Sequence, residues 1–222
     1  MTTIKTADGF SYTLTDRDRD YLVVSAKHEG EADPADIFWV YAQRLALPQF
    51  RDWKLADLVK FHSQPVNPRW RRDGEFCRPG GRYHDQPNCR EAVLATRDRN
   101  FQDVQNGWRA YRNKEPRIVQ RLIEWESGQV PNGVPRAVNF AARSVAENYV
   151  NRNADAQISQ RKSNWFVAEN GSTNWPDNFV TVEGSAFDRW HDTALGSYAL
   201  HFSIAGAIMG GLIAWDLHRR GK

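Results

Sequence analysis

The chain has 222 residues, which is enough for one sizeable hydrophobic core or for two small domains. Its formal net charge of +3 is too small to indicate a nucleic-acid partner, although a mildly basic surface suits an anionic polymer. The nine tryptophans and seven tyrosines are more informative, because flat amphipathic rings stack on sugar faces as well as filling cores.

The N-terminal segment MTTIKTADGFSYTLTD is polar with alternating residues. This pattern predicts a short strand or hairpin and no cleavable signal peptide. If the protein acts outside the cytoplasm, we expect something other than a conventional leader to deliver it.

A first helix is predicted to begin at Thr15, because Thr15-x-x-Asp18 is a capping-box pattern. Its apolar face passes through Ala26 and reaches Glu29, so a carboxyl group points at the interior. Burial penalises the ionised form of a carboxylic acid and can make it a proton donor near neutral pH. The alternative is that Glu29 and its neighbour Glu31 are solvated residues at a polar helix end, as most acidic residues are.

Two further helices are predicted before residue 63. Asp33-Pro34 is the start signal of the second, with Asp33 as the N-cap, and its apolar face extends to Leu45. A short amphipathic helix follows over 53–62. It runs into the segment SQPVNPRW at 63–70, where two prolines disfavour regular structure and leave amides beside an aromatic ring. Such a loop can hold a sugar, and an ordinary connector is the alternative.

The two cysteines, Cys77 and Cys89, bracket the segment RPGGRYHDQPN. Its Pro-Gly-Gly turn lets the chain fold back, so the pair can close a disulfide loop worth roughly 2–4 kcal/mol in an oxidising compartment. Free thiols are the alternative. No metal site is predicted, because the cysteines and His84 lack a fourth ligand at any usual spacing.

The chain from 88 to 150 is predicted to be mainly helical, with helices over 88–107, 115–128 and 135–150. From 151 onward, Asn-Gly and Trp-Pro turns around short apolar runs favour strands or extended loops, after a polar stretch over 152–162 that reads as a loose helix or linker. Trp165 and Trp175 either line a cleft or cap the core. We therefore predict a mainly α (α+β) protein with a few short strands.

The segment at 198–215, YALHFSIAGAIMGGLIAW, carries no formal charge and precedes a basic end. As a helix it would be about 27 Å long, just enough to cross a bilayer core. Small residues recur every four positions, and Gly206-x-x-x-Gly210 lies alongside, as in membrane helix pairs. This predicts an apolar C-terminal helix that inserts in a membrane, packs on the soluble domain or packs against copies of itself.

Several segments between residues 16 and 145 share the pattern of a known family. The first helix ends in Glu29-Gly30-Glu31, the second reaches Gln43-Arg44, and SQP at 63–65 and GVPRAVNF at 133–140 follow. Together they resemble the cell-wall hydrolase family of spore-cortex lytic enzymes and their bacteriophage relatives, which are similar to lytic transglycosylases on a lysozyme-like fold. The first segment is shorter here than in the family, and Gln43 stands where the family has Asn. The family's catalytic glutamate therefore falls on Glu29 or on Glu31.

The resemblance implies cleavage of peptidoglycan between N-acetylmuramic acid and N-acetylglucosamine. One carboxylic acid would protonate the glycosidic oxygen and then accept the proton of the muramic acid 6-hydroxyl as the 1,6-anhydro ring closes. A hydrolase would need a second acid, for which Glu31, Asp33 and Asp36 are near in sequence. The residues expected to bind the glycan are Gln43, Ser63, Gln64, Asn67, Trp70 and Asn139.

The resemblance, the missing leader and the apolar tail together suggest a phage virion component that acts in the host periplasm and cell wall. Its expected partners are peptidoglycan, a membrane through the tail, and virion or self-assembly contacts; no nucleic acid and no cofactor is predicted. The expected parts are a lysozyme-like domain over 1–150, an irregular β-rich extension over 151–192 and the apolar helix over 193–222. The alternatives are a non-catalytic structural or DNA-ejection protein with a lysozyme-like fold, and a soluble sugar-binding module that uses the tryptophans.

Overall fold

The computed structural model describes residues 1–29, 33–67, 89–161 and 164–184. The chain divides into two compact units, and the larger, Thr2–Glu183, contains the hydrophobic core and the helices. For Gln64, for residues 89–94 and for Arg97 only the backbone is described. The predictions for Glu31, Trp70, the Cys77–Cys89 disulfide and the apolar tail lie outside the described residues.

The described residues form helices and short strands, which confirms the predicted mainly helical architecture. The helices are α1 (Asp16–His28), α2 (Pro34–Ala46), α3 (Leu55–His62), α4 (Cys89–Asn106), α5 (Trp108–Lys114), α6 (Pro116–Glu126) and α7 (Arg143–Arg152). The strands are β1 (Thr2–Thr6), β2 (Ser11–Thr13), β3 (Asn139–Ala141), β4 (Gln157–Arg161), β5 (Asn164–Ala168) and β6 (Val180–Gly184). Within the described ranges, no helix has both the length and the apolar character needed to cross a membrane.

The strands form two three-stranded sheets. In the first, the order is β2-β1-β6, and β1 and β2 make the antiparallel hairpin that the N-terminal alternation predicts. In the second, β5 lies between β3 and β4 and is antiparallel to both, with Phe140 opposite Phe166. Strands β5 and β6 thus pair with strands that precede residue 150, while the predicted three-part division of the chain stays a prediction.

Helix α2 is the centre of the core. It begins as predicted, with Asp33 as the N-cap and Pro34 at the first helical position, and all of its residues are buried. The sequence predicted one apolar face for this helix, but α1, α3, α6 and β3 surround it. Trp125 of α6 is fully buried, with ring centroids 5.5 Å from Phe38 and 5.9 Å from Trp39.

Asp18 joins the start of α1 to the start of α3. Its buried carboxylate completes the predicted capping box by accepting hydrogen bonds from the Thr15 backbone N–H and hydroxyl at 2.7 and 2.8 Å. It also accepts from the backbone N–H of Ala56 at 2.7 Å, and the Tyr12 hydroxyl accepts from that of Leu55 at 3.0 Å. Helix α3 has no side-chain cap of its own, so these groups satisfy its first amides and fix where it begins.

The predicted helix over 135–150 is wrong in its first half. Arg136 has a φ of +68°, which stops a right-handed helix there, and the backbone N–H of Val138 donates to the Val167 carbonyl at 2.9 Å as the chain enters β3. Helix α7 begins only at Arg143, where Val145 is 52% exposed and Ala146 is buried. The apolar residues at helical spacing in this segment belong to two different elements, strand β3 with the residues before it and helix α7.

Three smaller expectations are also settled. Residues 157–161 form strand β4 rather than a loose helix or linker. Trp53 and His62, at the two ends of the helix predicted over 53–62, are exposed, while Leu55, Ala56, Leu58 and Val59 supply the buried positions of α3. Trp175 packs against the main core and Trp165 against a small second cluster around Ala146, so both tryptophans cap apolar clusters.

Candidate functional site

Glu29 ends helix α1 and is held in place by serine hydroxyls. Its backbone N–H donates to the Ser25 carbonyl at 3.0 Å, and its side chain is half-buried. The Ser63 hydroxyl donates to Glu29 Oε1 at 2.7 Å, and the Ser25 hydroxyl donates to Ser63 Oγ at 2.9 Å. Because both serines are fully buried, they fix one carboxylate oxygen from the protein side.

The packing of the first three helices explains this arrangement. Ser25 lies one turn before Glu29 on α1, and Ser63 is the C-cap of α3, which packs against α1. Tyr41 of α2 lies beside both serines, although its fully buried hydroxyl makes no hydrogen bond of normal geometry with the described atoms. Burial raises the pKa of Tyr41 well above its ordinary value, so this residue is neutral at physiological pH.

A cavity of about 530 Å³ lies against Glu29. Its lining is formed by Glu29, Arg44, His62, Asn139, Phe140, Ala141, Ala142, Val145, Tyr149, Asn164 and Val167. Among these described lining residues Glu29 is the one acid, and Asn139, Tyr149 and Asn164 supply neutral hydrogen-bonding groups. Asn164 also reaches the Glu29 backbone carbonyl, at 3.5 Å. A concave site with apolar walls and a few convergent polar groups is typical of a ligand pocket.

Arg44 places a positive charge in the wall of this cavity. Its side chain extends from α2, and the residue is only 8% exposed. Burial lowers the pKa of its guanidinium, but arginine keeps its charge at neutral pH. Within the part of the chain that the structure describes, Arg44 makes no hydrogen bond and no ion pair through its side chain.

His62, at the end of α3, forms another part of the lining. Its ring meets Phe50 edge to face, with centroids 5.5 Å apart. One side of the ring reaches solvent, yet partial burial and the positive charge of Arg44 lower the pKa of His62 to about 4. His62 is therefore a neutral imidazole at pH 7.

A second buried acid, Glu169, lies next to this site and was not predicted from the sequence. It follows β5, is 6% exposed and lines an adjoining cavity of about 530 Å³ that shares Val145 and Tyr149 with the first. Burial raises the pKa of Glu169, while Arg44 and the nearby Asn139 and Tyr149 side chains act in the opposite direction. The one signal in the sequence was an acid directly after an apolar run, which many surface turns also have.

Gln43 supports a loop. Its amide nitrogen donates to the carbonyls of Val134 and Ala137 at 3.0 and 2.8 Å. Its amide oxygen accepts from the Arg136 backbone N–H at 2.6 Å and from the Asn132 side chain at 3.2 Å. These bonds use the whole hydrogen-bonding capacity of a buried side chain, so Gln43 holds the loop that leads into β3 and has none left for a glycan.

The other residues expected to bind the glycan fall into three groups. Asn139 lies in the cavity lining. Ser63 is buried behind Glu29, and Asn67 is buried and donates to the Phe61 carbonyl at 2.6 Å. The side chains of Gln64 and Trp70 are outside the description. The structure thus joins Glu29, Ser63 and Asn139 into one site.

The acids considered for a hydrolytic mechanism have structural partners. Asp33 accepts from the Arg121 guanidinium at 3.0 Å while capping α2. Asp36 is buried and lies 3.0 Å from the Arg161 guanidinium. Neither lines the cavity beside Glu29. Among the residues with described side chains, no three metal-binding groups cluster.

Comparison with known proteins adds no identification. No protein-family model matches the chain, and no significant match is found among curated proteins or solved structures.

Proposed function

We propose that this protein is a lytic transglycosylase that cleaves the bond between N-acetylmuramic acid and N-acetylglucosamine in peptidoglycan, on a lysozyme-like helical domain, with Glu29 as its catalytic acid. The observation that carries the proposal is Glu29 itself, which is half-buried at a helix end, lines a cavity, and accepts a hydrogen bond from the Ser63 hydroxyl at 2.7 Å through its carboxylate. The sequence resemblance places the catalytic glutamate at Glu29 or Glu31.

In the proposed reaction, protonated Glu29 donates its proton to the glycosidic oxygen as the bond to the muramic acid C1 breaks. The resulting carboxylate accepts the proton of the 6-hydroxyl, whose oxygen bonds to C1 and closes the 1,6-anhydro ring. Glu29 ends the cycle protonated, so one group acts as acid and then as base. Ser63 is a positioning residue, since its hydroxyl fixes one carboxylate oxygen of Glu29.

The surroundings of Glu29 favour ring closure over hydrolysis. Hydrolysis requires a second carboxylate that activates water or attacks the sugar. Asp33 and Asp36 are held in ion pairs, and Glu169 lines the adjoining cavity and not the one beside Glu29. The neutral groups of Asn139 and Asn164 suit the acetamido and hydroxyl groups of the sugars.

The test is clearance of purified peptidoglycan sacculi by the full chain. Glu29→Gln keeps the shape of the side chain and removes the acid, so we expect the cleavage rate to fall by at least about a hundredfold, in line with the loss of a general acid. Glu147→Gln on α7 is the matched control, because Glu147 is a surface residue paired with Arg143. Equal cleavage by wild type and Glu29→Gln would refute the catalytic assignment, and no cleavage by either would favour a non-catalytic virion protein or a sugar-binding module.

We further propose that the enzyme is carried to the host wall as part of a phage particle. The family resemblance supports this, and so does the apolar segment at 198–215, which lies outside the described residues.

A further inference from the structure

Arg44 is a buried cation for which the described structure supplies no contact partner. A charged group removed from water is unfavourable unless it is paired and hydrogen-bonded. The nearby acid Glu169 attracts the positive charge of Arg44 electrostatically, but the two side chains do not form an ion pair. Arg44 lines the cavity beside Glu29, and no hydrogen bond or ion pair with the described residues occupies its guanidinium donors.

We propose that Arg44 binds a carboxylate carried by the glycan in the cavity beside Glu29. This inference rests on the proposed function for the identity of the glycan. A guanidinium presents parallel N–H donors that match the two oxygens of a carboxylate, and such charge-assisted pairs are strong and directional. Peptidoglycan offers a carboxylate in two places, the lactyl group of an unsubstituted muramic acid and the peptide attached to it.

The position of Arg44 gives the site a means of selecting one sugar over another. N-acetylmuramic acid and N-acetylglucosamine differ only in the lactyl ether, so a cation in the cavity wall discriminates between them, whereas the amides of Asn139 and Asn164 serve both. Arg44 would therefore set which residue of an alternating glycan strand lies next to Glu29.

The carboxylate-binding function of Arg44 can be tested by measuring the binding of small sugars to the full-length Glu29→Gln protein with NMR titration. The variant is used so that cleavage does not interfere. We expect N-acetylmuramic acid to bind at least about tenfold more tightly than N-acetylglucosamine and than its own methyl ester. The ratio should fall to about one in Arg44→Met and stay above one in Arg44→Lys. N-acetylmuramyl-L-alanine separates the two sources of carboxylate: equal or tighter binding indicates the peptide, and loss of binding indicates the lactyl group.

Folding of the variants is not expected to confuse the result. Since Arg44 has no partner to leave unpaired, Arg44→Met, of similar length, should keep the wild-type circular dichroism and thermal transition. If Arg44→Met nevertheless unfolds, the wild-type comparison with the methyl ester and the Arg44→Lys ratio still decide the matter. Equal binding of the acid and its ester, or an undiminished preference in Arg44→Met, would overturn the inference.

The two proposals fail separately. If sacculi remain intact but the Arg44-dependent preference is found, the carboxylate subsite stands and the enzymatic proposal falls. If sacculi are cleaved through Glu29 and no preference is found, only the subsite is wrong.

Discussion

Replacement of Gln43 by leucine tests whether this residue supports the loop before β3 or binds the glycan. Leucine keeps most of the volume, so the main loss is four hydrogen bonds to the loop. At about 1 kcal/mol each they amount to about 4 kcal/mol. Asn132 is half-exposed and can turn to water, which leaves about 3 kcal/mol from the backbone groups of Val134, Arg136 and Ala137. Urea denaturation followed by circular dichroism measures this change in the free energy of unfolding.

The matched control is Gln120→Leu, which makes the same substitution at an exposed position on α6. Its effect on the free energy of unfolding should stay within about 0.5 kcal/mol. A loss below about 1 kcal/mol for Gln43→Leu, or a loss equal to that of the control, would refute the loop-supporting function. Unchanged stability with weakened glycan binding would restore Gln43 as a ligand residue.

Three other predictions follow from the site and its supports. Ser63→Ala removes the hydrogen bond to Glu29, and we expect kcat for sacculus cleavage to fall about tenfold with KM unchanged, as loss of about 1.4 kcal/mol of positioning would give. His62 has a folded-state pKa of about 4, below the ordinary 6.5, so the unfolded chain takes up this proton first. Its contribution to stability is therefore complete above pH 6.5 and lost as the pH falls toward 4, and His62→Gln should flatten that part of the curve of unfolding free energy against pH. Asp18→Ala should lower the free energy of unfolding by about 3–5 kcal/mol in urea, since it leaves buried amides unpaired, whereas Asp16→Ala, which removes exposed ion pairs, should lower it by less than about 1 kcal/mol.

Each of these has an outcome that would count against it. A larger KM with unchanged kcat in Ser63→Ala would mean that the hydroxyl contacts the glycan. An NMR titration that places the His62 pKa at its ordinary 6.5 would remove the basis of the pH prediction. Similar losses for Asp18→Ala and Asp16→Ala would mean that the trans-capping of α3 contributes little.

The sequence signals that mark the first residues of helices gave the most reliable predictions. The Thr15–Asp18 capping box and the Asp33-Pro34 start depend on hydrogen bonds between residues a few positions apart, so the chain itself specifies them. Spacing along α1 left Glu29 open between the interior and the solvent, and the structure places it half-buried between the two. The predicted helix over 135–150 failed because a strand pairing with the distant Val167 took its first residues, and periodicity within a segment carries no information about such a pairing.

The supporting residues of the site were harder to infer. Ser63 was chosen as part of a sugar-holding loop, but its contact with Glu29 requires α1 and α3 to pack side by side. The sequence places Arg44 only at the end of the second helix, and its burial without a partner among the described residues is visible only in three dimensions. Glu169 lies next to the site because β5, which it follows, pairs with β3 and β4, and no local sequence pattern predicts this pairing.

The most direct test of the account is mass spectrometry of the fragments that the purified full chain releases from sacculi, compared between wild type and Glu29→Gln. We predict that wild-type protein produces disaccharide fragments with 1,6-anhydro-muramic acid ends and that Glu29→Gln produces almost none. Fragments with reducing ends, or anhydro fragments in equal amount from both proteins, would contradict the claim that Glu29 alone acts as the acid and then the base.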